Sequence, residues 1–78
     1  MSAGGGPLRA EEYAVRDLEL AGWPVRVTSY RLAGQYHAAV EERAAGARIA
    51  RGSGATREAA EREALEKARA RLERTRRG

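Results

Sequence analysis

The chain has 78 residues, enough for one small domain, and 33% of them are charged. It contains no cysteine, which excludes disulfides, thiol nucleophiles and cysteine-ligated zinc. Seventeen alanines leave few large side chains for a core. The net charge of +4 favours acidic partners, and its excess lies in residues 57–78, which carry eight Lys/Arg against five Glu.

The composition changes at both ends of the chain. Residues 1–6 are mostly glycine and lack the side chains needed to hold one conformation, so we expect a disordered tail there. Residues 7–75 then form a single predicted domain, and residues 76–78 form a short basic end.

The first predicted element of the domain is a helix over residues 7–21, because Ala10, Ala14 and Leu18 recur at four-residue spacing. A proline at the start and a Gly-Trp-Pro segment after the end are typical of helix boundaries. A strand remains the alternative. In that interpretation the tyrosine, valine and leucines of this segment pair with the next strand through a turn at residues 21–24.

Three strands are predicted next, over residues 25–32, 36–41 and 47–51, because branched, aromatic or small residues alternate there with polar ones. The short turn at residues 33–35 makes the first two strands a hairpin. A last helix is predicted over residues 57–74, with a stripe of small and apolar residues that we expect to pack on the sheet. The stripe consists of Ala60, Ala64, Ala68 and Leu72.

The junction before the last helix is the main candidate site. Gly52 and Gly54 allow a sharp turn, and Thr56 is a good N-cap for the helix that follows. The first helical amides have no partner within the helix and direct positive charge outward, beside the cationic Arg57. The junction is therefore able to receive an anion such as phosphate.

The predicted order of elements and this junction resemble the double-stranded RNA-binding domain. In that family the third strand runs into the pattern Gly-x-Gly-x-Ser-Lys-Lys-x-Ala. The corresponding residues of this chain are Gly52-Ser53-Gly54-Ala55-Thr56-Arg57-Glu58-Ala59-Ala60. The resemblance implies an α+β fold of order αβββα, with two helices packed on one face of a three-stranded antiparallel sheet.

The resemblance also implies a function, which is recognition of A-form RNA. The amino end of the second helix would contact major-groove phosphates, and the first helix would contact the minor groove. The implied RNA-binding residues are Glu12, Thr56, Arg57, Arg62 and Arg69. Because Glu58 stands where the family has a second lysine, the implied binding is weak. A protein-interaction or dimerisation module without RNA binding is the alternative.

A second, less extensive resemblance is to HicB-like antitoxin domains, whose strands lead into Gly-x-Thr-x-x-Glu-Ala. The matching segments of this chain are Gly34-x-Tyr36-x-Ala38-x-Val40 and Gly54-Ala55-Thr56-Arg57-Glu58-Ala59-Ala60. Here Ala59 stands where that family has its glutamate. This resemblance would imply an antitoxin role, with a toxin as partner.

The sequence does not favour an enzyme. Its one histidine, His37, lies within a predicted strand and far along the chain from the one aspartate, Asp17. The glutamates of the last helix alternate with arginines and do not form a cluster of metal ligands. We therefore expect no catalytic residue, metal or cofactor. Because there is neither an apolar run of about 20 residues nor a signal peptide, we expect a cytoplasmic protein without membrane contact.

Overall fold

The computed structural model describes residues 10–77, with only the backbone described for residues 75–77. It contains four strands followed by one helix. The elements are β1 (Glu11–Leu20), β2 (Trp23–Leu32), β3 (Gln35–Glu42), β4 (Ala47–Gly54) and α1 (Arg57–Arg77). The sheet order is β1-β2-β3-β4 and every neighbouring pair is antiparallel. The fold is therefore α+β, with a four-stranded meander covered by α1 on one face.

The predicted order αβββα is wrong, because Glu11–Leu20 forms a strand instead of a helix. The alternative interpretation of this segment is correct. A spacing of four residues keeps side chains on one face in a strand as well as in a helix, so Ala14 and Leu18 could not separate the two. The segment is a strand because it pairs with the neighbouring strand β2, where Leu18 lies opposite Val25. The predicted tail and Pro7 lie outside the described residues.

Two tight turns join the first three strands. Ala21 and Gly22 have φ angles of 53° and 83°, and Ala33 and Gly34 have 55° and 79°. Positive φ at both central residues is the mark of type I′ turns, whose twist matches that of the strands they connect. The hairpin predicted around residues 33–35 is therefore confirmed, and a second hairpin precedes it.

The core lies between α1 and the sheet. The predicted stripe of α1 is buried as expected and meets valines of the inner strands. The buried hydrophobic residues are Leu20, Val25, Val27, Ala38, Val40, Ala50, Ala60, Ala64, Ala68 and Leu72. Because the helical members of this core are mostly alanine, α1 comes very close to β4.

The position of α1 over the sheet leaves two surfaces that could hold a ligand. The helix packs mainly on β4 and β3, so a groove remains between α1 and β1. The face of the sheet opposite α1, which we call the open face, has no helix against it among the described residues. The helix continues to Arg77, slightly beyond its predicted end.

Candidate functional site

The amino end of α1 has the predicted cap. The hydroxyl oxygen of Thr56 accepts a hydrogen bond from the backbone N–H of Ala59, at 3.1 Å. Such a bond satisfies one of the helical amides that have no partner inside the helix. Thr56 itself is exposed.

Arg57 is directed into the protein. One guanidinium nitrogen lies 2.6 Å from the Ser29 hydroxyl and the other donates to the backbone carbonyl of Glu12, at 2.8 Å. The guanidinium carbon lies 5.2 Å from the centre of the Tyr36 ring, a cation–π distance. The side chain is only 28% exposed. Both of its terminal nitrogens are therefore engaged within the domain.

Glu12 lies at a β-bulge in β1 instead of on a helix, with a φ of 55°. One carboxylate oxygen accepts a hydrogen bond from the Tyr36 hydroxyl at 2.9 Å, and the other lies 3.3 Å from Arg31. The bond to Glu12 raises the pKa of Tyr36, because it stabilises the protonated phenol. Glu12 and Arg57 are thus brought together, as structural partners.

Ser29 connects this cluster to the helix. It is fully buried, and its hydroxyl donates to a carboxylate oxygen of Glu61 at 3.0 Å while it accepts from Arg57. The other oxygen of Glu61 accepts from Arg16 of β1, at 2.8 Å. We call Glu12, Ser29, Tyr36, Arg57 and Glu61 the Arg57 cluster. It ties the start of α1 to the first three strands.

Arg62 and Arg69 lie in the groove between β1 and α1, which has a volume of about 440 Å³. The groove contains as many carboxylates as guanidinium groups. Its lining residues are Arg16, Leu20, Glu58, Glu61, Arg62, Leu65, Glu66 and Arg69. The two arginines therefore line the same groove, but the positive and negative charges around them balance.

The open face carries a row of rings that sequence reasoning did not identify as a site. The ring centres of Tyr13 and Tyr30 are 5.4 Å apart, and those of Tyr30 and His37 are 5.5 Å apart. We call these three residues the aromatic ladder. They come from three strands, and the register of the sheet aligns them.

A hollow of about 620 Å³ lies beside the ladder. Its lining includes the small side chains of Thr28 and Ala39, which are cross-strand partners. Arg48 and Arg51 of β4 line it as well, are exposed, and form no ion pair with any residue between 10 and 74. Glu41, Glu63 and Lys67 line the hollow too, so it combines small side chains and aromatic rings with charged groups of both signs.

A row of alternating charges bounds the hollow on the side away from the ladder. It runs across the sheet as Asp17, Arg26, Glu41 and Arg48. Asp17 accepts a hydrogen bond from Arg26 at 2.9 Å, which lowers the pKa of this aspartate, and Arg43 lies 3.8 Å from it. The negative charge of Asp17 is therefore compensated within the row.

Comparison of the chain with models of protein families, with curated proteins and with solved structures gave no match. Between residues 10 and 77 there is no group of three or more His, Cys, Asp or Glu side chains placed to hold a metal ion. In the same part of the chain, no helix has the length and apolar character needed to cross a membrane.

Proposed function

We propose that this protein is a noncatalytic module that binds single-stranded nucleic acid, RNA in particular, on the open face of its sheet. The observation that carries the proposal is the aromatic ladder crossing that face next to a hollow. A four-stranded antiparallel sheet with aromatic side chains on its uncovered face is a common way to hold unpaired bases. Base–aromatic stacking tolerates any sequence, because every base has a π-face.

The surroundings of the ladder support the same ligand. Thr28 and Ala39 are small enough to leave room for a base between the ladder and the charged row. Arg48 and Arg51 stand at the β4 side, where they would neutralise phosphates of a strand running across the sheet. The site would thus separate base contacts at the centre from backbone contacts at one edge.

We prefer the open face to the amino end of α1 as the RNA-binding surface for two reasons. Recognition of A-form duplex depends on a first helix in the minor groove, and the segment expected to form it is β1. The guanidinium of Arg57, the first implied phosphate contact, already binds Ser29 and Glu12. We therefore move the proposed RNA contact from the helix to the sheet.

Fluorescence anisotropy with labelled oligonucleotides of mixed sequence and about 12 nucleotides tests the proposal, since single-strand sites span about 4–16 nucleotides. Single-stranded RNA is expected to bind at low salt more tightly than the same RNA as a duplex. Tyr30→Leu keeps an apolar side chain in the strand but removes a ring. We expect it to weaken binding by roughly 5- to 150-fold, the equivalent of one lost base stack.

A matched pair of double variants locates the surface. Arg48→Glu with Arg51→Glu changes the open face, whereas Arg62→Glu with Arg69→Glu makes the same charge change on the helix. The sheet variant is expected to lose about tenfold or more in affinity, and the helix variant much less. The reverse order, or a preference for duplex, would reject the open face and return the site to α1. Absence of any binding at low salt would reject the function itself.

A further inference from the structure

The proposed nucleic-acid site leaves most of the charged row unexplained. The members of this row, Asp17, Arg26, Glu41 and Arg48, come from four successive strands, and their charges alternate in sign across the sheet. Only Arg48 faces a phosphate in the proposed function, and the two carboxylates would repel one. Three members of the row are exposed and Glu41 is half-buried. The row therefore fits a partner that carries charges of both signs.

An alternating row with an even number of charges is complementary to itself when it is reversed. A twofold axis parallel to the strands, passing between β2 and β3, would place a second copy of the sheet face to face with the first and reverse its row. Asp17 would then lie opposite Arg48 of the second copy, and Arg26 opposite Glu41 of the second copy. Because the same surface is used by both copies, each pair occurs twice, and every charge meets the opposite sign.

The apolar side chains of the open face suit the same contact. Tyr13 and Val15 of β1 are the exposed large hydrophobic residues in the range 10–74, with exposed fractions of 64% and 57%. Tyr13 belongs to the aromatic ladder, and Val15 pairs with Thr28 of the hollow, so both lie on the open face. Exposed apolar groups gathered on one face mark an interaction surface. A second sheet packed about 10 Å away would cover them.

The size of the open face limits the strength of such a contact. Four strands about 4.8 Å apart and about eight residues long give a face of roughly 15 by 26 Å. Two copies would therefore bury on the order of 800 Å² in total. An interface of this size is typical of weak, reversible association.

We propose that the open face binds a second copy of this chain, sheet against sheet about this twofold axis, and that the dimer covers the nucleic-acid site. Dimerisation is independent of the proposed function, whereas the competition with nucleic acid rests on it. In the dimer α1 lies on the outer side of each sheet, because it packs on the face opposite the open face. Self-association thus regulates the site, since only a dissociated copy offers its aromatic ladder to a base.

Sedimentation velocity at protein concentrations from about 1 μM to about 1 mM, without nucleic acid, tests the dimer. We expect a dimer that dissociates on dilution. Asp17→Lys and Arg48→Glu each turn two attractive pairs into two repulsive ones, so each should lower the association constant at least about tenfold. A mixture of the two variants should associate again, because every charge of the mixed pair faces the opposite sign.

The matched controls are Glu58→Lys and Arg62→Glu, which make the same charge changes at exposed positions of α1. They should leave the association constant unchanged. A protein that stays monomeric at about 1 mM, or a mixture that associates no better than its two components, would overturn the dimer. An equal loss in the α1 variants would overturn it too, since the contact would then involve the helix.

Competition is tested by adding excess single-stranded RNA of about 4 nucleotides, the shortest single-strand site, to the dimer at low salt. The expected complex contains one protein chain. A complex of two chains with bound RNA would show that the dimer leaves the open face free and would overturn the twofold arrangement. If no RNA binds, the proposed function fails, and the mixture of charge variants still decides whether the dimer exists.

Discussion

Individual side chains decide which of the predicted contacts are available to a ligand. Arg57 follows a glycine-rich junction, and its position in the sequence favoured a phosphate contact. The direction of its side chain depends on hydrogen bonds to Ser29 and to Glu12 at the bulge, which come from distant parts of the chain. Local sequence could identify the cap at Thr56, because that bond spans only three residues.

The Arg57 cluster is expected to contribute to stability through Ser29. Ser29→Ala would leave a guanidinium and a carboxylate, both partly buried, without their shared partner. We expect the free energy of unfolding to fall by about 1–3 kcal/mol. Urea denaturation measures this, with Ser53→Ala as the control because Ser53 is exposed. A loss no larger than that of the control would mean that the cluster adds nothing to the fold.

The charged row on the open face makes a prediction about pH. The hydrogen bond from Arg26 holds the pKa of Asp17 below its ordinary value in the folded protein. A lowered folded-state pKa stabilises the fold above the unfolded value, which is about 4, and this contribution disappears as the pH falls through the folded value. Arg26→Gln should raise the pKa of Asp17 in an NMR titration of its carboxyl carbon.

The control for this titration is Arg48→Gln, which removes a cation of the same row that does not touch Asp17. It should leave the titration of Asp17 nearly unchanged. An equal rise in both variants would show that the general field of the sheet, and not the bond from Arg26, sets the pKa.

At the scale of elements, the contact between α1 and β4 depends on the absence of side chains. A Cβ at Gly52 would lie 2.6 Å from the carbonyl oxygen of Ala60 and from the amide nitrogen of Ala64. Both atoms belong to helical backbone, which cannot move without shifting the helix. The glycine that sequence reasoning assigned to a phosphate-binding loop is therefore required for packing.

Gly52→Ala is accordingly expected to lower the free energy of unfolding by about 1–3 kcal/mol through overpacking. The neighbouring Arg51→Ala also introduces alanine into β4 but at an exposed position, where changes are usually within about 0.5 kcal/mol. Thermal and urea unfolding of both variants give the comparison. Equal stability of the two would show that α1 can move away from the strand at little cost.

The two edges of the sheet are protected in different ways. At β4, the Ser53 N–H donates to Glu63 at 2.8 Å, and Arg71 donates to the carbonyl of Ile49 at 2.6 Å. At β1, the bulge at Glu12 interrupts the regular strand edge, and the charged side chain of Arg16 bonds Glu61 of α1. These are features that natural sheets use against edge-to-edge pairing. A dimer formed through either edge would first have to overcome them.

At the scale of the whole molecule, the basic character of the chain is unevenly distributed. All eleven Asp and Glu lie within residues 10–74, whereas Arg9, Arg76 and Arg77 lie outside this range. The part of the chain whose side chains are described is therefore close to neutral. Binding of a nucleic acid by this part must depend more on stacking than on phosphate contacts.

A shallow salt dependence follows from this distribution. If Arg48 and Arg51 each neutralise one phosphate, the logarithm of the binding constant should fall with the logarithm of salt with a slope of about −1.4. Anisotropy titrations across a series of salt concentrations measure the slope. A slope several times steeper would indicate a broad electrostatic interface and would contradict binding centred on the ladder.

The sequence by itself determined the three later strands, the hairpin at Ala33 and Gly34, the long last helix and the buried stripe that holds it to the sheet. Each of these depends on spacing or turn chemistry within a few neighbouring residues. The sequence could not determine whether the first element is a helix or a strand, because side chains four residues apart share a face in both. Only pairing with β2 made this element a strand.

The candidate site was decided by tertiary structure. Register across the sheet aligned Tyr13, Tyr30 and His37, and it placed Glu41 between Arg26 and Arg48 beside the hollow. Packing in three dimensions also turned Arg57 toward Ser29 and Glu12. The contacts of Arg57 with Ser29 and Glu12 join residues that are far apart in the chain, and no local pattern encodes them.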